Sequence, residues 1–215
     1  MQWFTSDLHL AHPFVAKLRG YEDYREHDET IIRNLNTMVQ PDDELYVLGD
    51  ISSGGRASME EALRQLHRLK VGRTHRTLIL GNHDSTRLEA GRMRRFITEF
   101  GQVALRGSTH IHGVGNVLLS HYPWAEYMNG TQRDDLSTNA LDAHYKHLAP
   151  SIDFCNTLLH GHTHATTPYE FKMGSQYQIR PDYTQINVGL DAWGLKPVSE
   201  EQVENLWLTH LDEQM

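Results

Sequence analysis

Short apolar segments that alternate with amphipathic helical patterns constrain the fold of this 215-residue chain most strongly. The segments "QWFTSD", "ELYVLGD" and "RTLILGNHD" have the length and composition of buried strands, and each ends in polar residues. Between them, residues 28–39 carry apolar side chains at helical spacing, and Ser58 with Glu61 forms a capping-box pattern that predicts the start of a second helix. This strand–helix–strand–helix order predicts a layered α/β domain.

The second half of the chain predicts a further sheet that packs against the first. The segment "VALRGSTHIHGVGNVLLSHYP" reads as several short strands joined by glycine-containing turns, and "TLLHGHTH" reads as another strand. A hairpin-like stretch covers about 169–186, and a short C-terminal helix is predicted to open at Ser199 and Gln202. Residues 124–156 break the strand pattern, so we interpret them as an insertion at the rim of a single domain, residues 1–215.

Composition excludes several classes of protein. The chain is 39% hydrophobic and 22% charged, which is typical of a soluble globular domain, and it has no apolar run long enough to span a membrane. Its first residues lack the basic start and apolar stretch of a secretory signal, so we expect a cytoplasmic protein without a membrane partner. The single cysteine, Cys155, excludes an internal disulfide framework and a cysteine-based zinc site.

Charge and histidine content bear on the choice of ligand. The net charge is −8, which argues against a general polyanion binder, although the stretch Arg64–Arg95 has nine Lys or Arg residues against two acidic ones. We favour a solvated helix face for this stretch, with an electropositive wall for phosphate as the alternative. The 15 histidines point to metal or proton chemistry, for which imidazole is the commonest side chain.

Polar residues of the same kinds follow five of the predicted strands. Ligands bind beyond the carboxyl ends of strands in open α/β sheets, so these residues can converge on one crevice. In an extended backbone alternate side chains share a face, which would bring the last two of them together. The residues are Asp7, His9, Asp50, Asn82, His83, Asp84, His121, His162 and His164.

The residue types in this set indicate a metal centre. Carboxylate, imidazole and amide groups suit manganese, iron, zinc or nickel. Their number exceeds the needs of one ion and suits two ions that share a bridging carboxylate, an arrangement used for displacement at phosphorus. Glycines before Asp50, Asn82 and His162 would let the backbone turn sharply at the ions. Each short pattern alone occurs by chance, but five in order at strand ends favour a real metal site.

The order "DLH … GD … GNHD … SH … GHTH" resembles the calcineurin-like metallophosphoesterase superfamily from residue 5 to about 165. The segment "INVGLDAWGLKPVS" is similar to a small bacterial and phage branch of that superfamily. The resemblance implies an α/β fold, a four-layer α/β/β/α sandwich with two central mixed sheets. It also implies two divalent metal ions per chain, with Mn²⁺ as the expected metal and Fe, Zn or Ni as alternatives.

The resemblance further implies a role for each residue. One metal would be held by Asp7, His9 and His164, and the other by Asn82, His121 and His162. Asp50 would bridge the two ions. His83 would act as the general acid, and Asp84 would orient it. His160 has no place in this ligand set, so we predict a structural role for it despite its identical spacing.

The implied reaction is hydrolysis of a phosphoester by a metal-bridging hydroxide. We favour a phosphodiester of a small or nucleotide-derived substrate over a phosphomonoester. A nuclease acting on DNA or RNA is the alternative, and a non-catalytic metal-binding scaffold is a third hypothesis from a different class. Candidate substrate-binding residues are His12, Arg56 and Arg87. For His12 a role in supporting a ligand or capping a helix is an equal alternative, and surface placement is the better reading for both arginines. The sequence predicts neither the natural substrate nor the oligomeric state.

Overall fold

The computed structural model describes residues 1–84, 94–125, 146–151, 155–168 and 184–214. Its first sheet has five strands in the order β4-β3-β2-β1-β9. The first four strands run parallel, and β9 is antiparallel to β1, so the sheet is mixed. The strands are β1 (Gln2–Thr5), β2 (Glu44–Val47), β3 (Arg76–Ile79), β4 (Gln102–Ala104) and β9 (Val198–Ser199).

The second sheet has four strands in the order β5-β6-β7-β8. Its edge strand β5 is antiparallel to β6, whereas β6, β7 and β8 are parallel to one another, so this sheet is also mixed. The strands are β5 (Gly107–Ile111), β6 (Gly115–Leu119), β7 (Thr157–His160) and β8 (Thr184–Asn187).

Four α-helices with fully described bounds flank the sheets, and residues 94–96 are also helical. None of these helices has the length and apolar character needed to cross a membrane. The helices are α1 (Pro13–Leu18), α2 (Tyr24–Met38), α3 (Arg56–Leu66) and α4 (Glu200–Gln214).

Two apolar cores hold these layers together, and strand alternation assigns side chains to one or the other. In β2, Leu45 and Val47 point to the core shared with α2 and α3, whereas Tyr46 packs against the core between the sheets. Phe4 of β1 stacks on Tyr46 with ring centroids 5.3 Å apart. The second sheet contributes Leu159 to the same core. The two mixed sheets with flanking helices confirm the predicted α/β fold class.

The predicted helix ends were partly wrong. Helix α3 begins at Arg56 after Gly55, and the hydroxyl of Ser58 accepts a hydrogen bond from the Ser53 N–H at 3.1 Å instead of capping a helix. The capping box at the C-terminal helix is confirmed. There the Ser199 N–H donates to Gln202 Oε1 at 3.0 Å, and the Gln202 N–H donates to Ser199 Oγ at 3.2 Å.

Other predicted boundaries either differ from the structure for a local reason or fall outside the described residues. Helix α2 begins at Tyr24, four residues before the predicted start, because Asp23 caps it by accepting a hydrogen bond from the Arg25 N–H at 2.9 Å. Most of the predicted insertion, 126–145 and 152–154, lies outside the described residues, as does 169–183 of the hairpin-like stretch. The single-domain organisation therefore stays a prediction.

Leu159 tests the core between the sheets because its side chain is fully buried there. We expect Leu159→Ala to lower the free energy of unfolding by about 2–5 kcal/mol, through lost apolar burial and the cavity that remains. Urea denaturation followed by circular dichroism measures the change. Leu208→Ala, at a position 44% exposed on α4, is the matched control and should stay within about 0.5 kcal/mol. Equal effects at both positions would contradict the described core.

Candidate metal centre

The carboxyl ends of β1, β2, β3, β6 and β7 meet at one edge of the two sheets, and the predicted ligands lie there together. Asp50, which follows β2, occupies the centre of the group. Its Oδ2 atom lies 3.5 Å from His121 Nε2, 3.9 Å from His9 Nε2 and 4.0 Å from His83 Nε2. Its Oδ1 atom accepts a hydrogen bond from the His83 backbone N–H at 2.9 Å. One buried carboxylate thus contacts segments from three different strand ends.

One cluster of potential ligands lies on the β1 side of Asp50. His9 Nε2 and His164 Nε2 are 3.1 Å apart, and His164 Nε2 is 3.8 Å from Asp7 Oδ1. Ligand atoms of these three residues all lie within 4.8 Å of one another, a spacing that fits one metal ion. The structure therefore brings together the three residues predicted to share one metal.

A second cluster lies on the β3 and β6 side. Asn82 Oδ1 is 2.9 Å from His121 Nε2 and 3.0 Å from His162 Nδ1, and the two imidazole nitrogens are 3.3 Å apart. Ligand atoms of Asp7, Asp50 and His121 also lie within 4.8 Å of one another. Carboxylate, imidazole and amide groups are the donors that divalent transition metals bind. All seven predicted ligands thus form one site whose donor chemistry fits such ions.

The backbone at this site is strained in a way that the sequence patterns did not indicate. Five of the predicted ligands have positive φ angles, from 46° at His9 to 70° at His162, and the others are Asp7, Asp50 and His164. Such a conformation in a non-glycine residue costs on the order of 1–3 kcal/mol and persists where the surroundings enforce it. Here the Asp7 and His9 N–H groups donate at 3.0 Å to the carbonyls of Gly49 and Asp50.

This conformation corrects the predicted reason for the "HGHTH" pattern. Strand β7 ends at His160, and the next two histidines reach the site from left-handed turns, with φ of 70° at His162 and 50° at His164. An extended backbone does not bring them together. His160 is buried within the strand and belongs to neither cluster.

Glycines allow the close approach of the ligand loops, for two different reasons. Gly49 has a φ of 94°, which the residue before Asp50 needs in order to turn. At Gly161 the reason is space, because a Cβ atom would collide with the Ser6 hydroxyl and the Asp7 carboxylate. The predicted sharp turn before a ligand therefore holds for Gly49, whereas Gly161 provides room for a carboxylate.

The charges within the site perturb one another strongly. Burial would raise the pKa of Asp50, but the His121, His9 and His83 imidazoles outweigh it and hold this pKa well below its usual range. Burial would likewise lower the pKa of His121, yet Asp50 raises it to about 9. At His9 burial has the largest effect and lowers the pKa well below its usual value, which favours a neutral ring with a free lone pair.

Asp84 does not contact the His83 ring, contrary to the prediction that it orients this imidazole. Its carboxylate accepts hydrogen bonds from the backbone N–H groups of Gly81, Asp50 and Ile51 at 2.7–3.0 Å. Burial, followed by the charge of Asp50, raises the pKa of Asp84 to about 6. The three converging N–H groups attract the buried carboxylate, while His83 Nδ1 lies 3.2 Å from the Ser53 carbonyl oxygen instead. Asp84 therefore joins the β2 and β3 loops.

The candidate substrate-binding residues have different placements. His12 lies at the rim, with its ring centroid 5.2 Å from that of His9, and its Nδ1 also accepts from the Val15 N–H at 3.5 Å as the cap of α1. Arg56 is 80% exposed and pairs with Glu60 along α3, so the structure places it on the surface. Arg87 lies outside the described residues.

Two arginines in the described part of the basic stretch have partners within the protein. Arg76 is buried, and its guanidinium donates to the carbonyl oxygens of Leu66, Leu69 and Val71 at 2.7–3.0 Å. Arg68 pairs with Glu29 at 2.7 Å on the surface. These arginines stabilise loops and helix faces, as the favoured interpretation expects.

Two charged residues next to the site were missed by the sequence analysis. Asp191 Oδ2 lies 2.9 Å from His164 Nδ1, and Arg19 Nε and Nη2 donate to the Asp191 carboxylate at 2.8 Å each. Arg19 Nη2 also donates to the Asp7 carbonyl oxygen at 2.8 Å. No local pattern could have paired Arg19 with Asp191, because 172 positions separate them.

Gly161 allows a direct test of this crowded geometry. We expect Gly161→Ala to destabilise the protein by about 1–3 kcal/mol and to reduce the rise in Tm on addition of Mn²⁺, because the new methyl group displaces the Asp7 carboxylate. Differential scanning calorimetry with and without Mn²⁺ measures both effects. Gly55→Ala is the control, since a Cβ at this position meets no atom within 4 Å. An unchanged Mn²⁺ response in Gly161→Ala would contradict the role of this glycine.

The chain is similar to several known proteins over nearly its whole length. The chain is 31% identical to the Gene 66 protein of Mycobacterium phage L5, over 99% of this chain and 96% of the phage protein. It is 35% identical to the Gene 66 protein of Mycobacterium phage D29, over 92% of each. The crystal structure of protein AQ665 from Aquifex aeolicus superposes with a TM-score of 0.64 at 25% identity, covering 96% of this chain and 98% of that one.

The family comparison covers most of the chain and all seven predicted ligand residues. The sequence pattern of the calcineurin-like phosphoesterase family matches residues 2–166. This span begins at β1 and ends just after His164. The chain therefore belongs to the calcineurin-like phosphoesterases, a family of metal-dependent phosphoric ester hydrolases.

Proposed function

We propose that this protein uses two divalent metal ions to hydrolyse phosphodiester bonds in a small or nucleotide-derived substrate. The observation that carries the proposal is the position of Asp50. Its Oδ2 atom lies within 3.9 Å of an imidazole nitrogen from each ligand cluster, His9 on one side and His121 on the other. A carboxylate shared by two ligand sets could hold two ions close together, as a two-metal hydrolase needs.

The ligand clusters assign a set of residues to each ion. Asp7, His9 and His164 would hold one ion, Asn82, His121 and His162 the other, with Asp50 common to both. When bound, the ions supply Lewis acidity, which lowers the pKa of water and neutralises charge on the phosphoryl oxygens. The mixture of carboxylate, imidazole and amide ligands supports Mn²⁺, with iron, zinc or nickel as alternatives.

His83 is proposed as the general acid that protonates the leaving oxygen. Its Nδ1 atom faces the Ser53 carbonyl oxygen at 3.2 Å, so this nitrogen carries the proton that the carbonyl accepts when the ring is neutral. The Nε2 atom is then available to take up and deliver a second proton, and it lies 4.0 Å from Asp50 Oδ2. The side chain is 39% exposed, so substrate can reach it. Proton transfer of this kind contributes about 10²–10⁴-fold to rate.

The charge of the site supports a diester as substrate. A phosphodiester carries one negative charge, whereas a phosphomonoester near neutral pH carries up to two and needs more positive charge from the protein. The described residues next to the ligands include one arginine, Arg19, and its N–H donors already have partners within the protein. The proposed ions would supply positive charge to either substrate, and we favour the less charged one because this described arginine has no free donor to add.

A nuclease is the weaker alternative for the described part of the chain. It would need a positively charged path for the nucleic acid backbone. Arg76 and Arg68 of the basic stretch are occupied by other contacts, as described above. A non-catalytic scaffold is also disfavoured, because all seven ligand positions and the His83 imidazole are filled.

Loss of the shared carboxylate provides the main test. We expect Asp50→Asn to reduce Mn²⁺-dependent hydrolysis of bis(4-nitrophenyl) phosphate by more than about 100-fold, because the ions supply several kcal/mol of transition-state stabilisation. EDTA should abolish the wild-type activity, and added Mn²⁺ should restore it. Release of nitrophenolate is measured spectrophotometrically.

Asp42→Asn is the matched control for this experiment. Asp42 is exposed at the amino end of β2, opposite the site, and its substitution should leave activity unchanged. Wild-type protein without turnover of phosphodiesters, phosphomonoesters or single-stranded DNA would support the scaffold instead. Turnover of DNA alone, with a steep salt dependence, would support the nuclease.

The role of His83 is tested by varying the leaving group. We expect His83→Gln to slow hydrolysis of a dinucleoside monophosphate by about 10²–10⁴-fold, because an alkoxide leaving group needs a proton. The 4-nitrophenyl ester of thymidine 5′-phosphate should be affected far less, since nitrophenolate leaves without protonation. His112→Gln, at a side chain 98% exposed, is the control. Equal losses for both substrates would contradict general acid catalysis by His83.

A further inference from the structure

We propose that Arg19 and Asp191 position the ligands of one metal, the ion held by Asp7, His9 and His164, and thereby make it the more tightly bound of the two. This inference rests on the proposed two-metal function and concerns residues without a role in it. Asp191 lies outside residues 2–166, the span that matches the family, so the family pattern does not include it. Hydrogen bonds connect Asp191 and Arg19 to the first ligand loop, which follows β1 and carries Asp7 and His9.

The contact between Asp191 and His164 fixes the ring of this ligand. Because a carboxylate only accepts hydrogen bonds, the 2.9 Å contact requires the proton on His164 Nδ1. The lone pair is then on Nε2, the atom that faces His9 Nε2 at 3.1 Å and Asp7 Oδ1 at 3.8 Å. A carboxylate behind a metal-binding histidine both selects this tautomer and strengthens the ligand. Asp191 thus presents His164 to the ion in the required form.

Arg19 connects Asp191 to the backbone of the first ligand loop. Its Nε and Nη2 atoms donate to the two carboxylate oxygens of Asp191, and Nη2 also donates to the Asp7 carbonyl oxygen, all at 2.8 Å. Nη1 donates to the Leu8 carbonyl oxygen at 3.3 Å and lies 3.1 Å from His27 Nε2. All five N–H donors of the guanidinium therefore have acceptors. This side chain is 5% exposed. It contacts the backbone of Asp7 directly and His164 through Asp191, so it supports two proposed ligands of the same ion.

A further pair of residues holds Arg19 in place. His27 Nδ1 lies 2.9 Å from Asp28 Oδ1, so its proton is on that nitrogen and Nε2 is free to accept from Arg19. Asp28 Oδ2 accepts from the Ala11 N–H at 2.8 Å, which fixes the end of the first ligand loop. Both residues are almost fully buried. A continuous chain of hydrogen bonds thus runs from α2 through Arg19 to the loop that carries Asp7 and His9.

The second ligand cluster is held differently at its most buried histidine. His121 Nδ1 lies 2.7 Å from the backbone carbonyl oxygen of Leu48, where His164 has a carboxylate. A neutral carbonyl strengthens an imidazole ligand less than an ionised carboxylate does. The difference predicts unequal affinities for the two ions.

Substitution of Asp191 tests the proposal by metal binding. Three N–H donors, two from Arg19 and one from His164, meet the two oxygens of Asp191, and an asparagine has only one oxygen to offer. We expect Asp191→Asn to weaken binding of one Mn²⁺ ion by about 10–100-fold and to leave the other unchanged. Arg19→Lys should act in the same direction, because an ammonium group cannot span both acceptors. Isothermal titration calorimetry of the metal-free protein measures both affinities.

Glu99→Gln is the matched control, since Glu99 also forms a buried pair with an arginine, Arg76, at 3.5 Å. This variant should bind both ions like the wild type. Urea unfolding in EDTA confirms that each variant is folded. Hydrolysis by Asp191→Asn should recover at high Mn²⁺ concentration, which a damaged catalytic group would not do.

The outcomes separate this proposal from the proposed function. Wild-type affinities for both ions in folded Asp191→Asn and Arg19→Lys would overturn the positioning role. Equal weakening of both ions would overturn the assignment to one metal. Wild-type protein that binds two ions but hydrolyses no phosphoester would contradict the proposed function alone. Wild-type protein that binds none of Mn²⁺, Fe²⁺, Zn²⁺ and Ni²⁺ would overturn both.

Discussion

The burial of two carboxylates where the two sheets meet is the constraint on which the rest of the site depends. Asp7 is fully buried and Asp50 is 2% exposed. An isolated buried carboxylate costs several kcal/mol, so each must be paired or hydrogen-bonded. Asp7 accepts from the His162 N–H at 3.0 Å, and Asp50 accepts from that of His83. Three imidazoles face Asp50 as well. These contacts join the strand ends of both sheets, so the chemistry of the site and the packing of the fold share the same groups.

Backbone strain and close packing follow from this constraint. The predicted ligands from five strand ends reach one point only if their loops turn within one or two residues, which explains the left-handed conformations at His162 and His164. Gly161 leaves room for the Asp7 carboxylate beside these turns. Two hydrogen bonds hold the first ligand loop in this conformation. The Asp7 N–H donates to the Gly49 carbonyl oxygen, and Arg19 donates to the Asp7 carbonyl oxygen. Strain at the ligands is therefore offset by contacts outside the ligand set.

Residues whose role depends on their own strand were predicted correctly, whereas residues held by a neighbouring loop or a distant segment were not. The strands and the polar residues at their ends were predicted from apolar runs and from the glycine and polar residues that follow them, which are local features. Ser58 does not cap the helix because its hydroxyl accepts a hydrogen bond from the nearby Ser53 N–H. Asp84 was misassigned because the amide groups that attract it come partly from Asp50 and Ile51, more than thirty positions earlier.

Sequence alone was enough to predict the α/β class, the family and the residues that gather at one edge, because each strand carries its polar residues at its own carboxyl end. Only the folded chain decided how these residues are held. The left-handed turns, the position of Asp50 between two clusters and the link from Arg19 to Asp191 depend on distances across the sheets. Arg19 and Asp191, 172 positions apart, become neighbours only when the chain has folded, so no local sequence pattern predicts their contact.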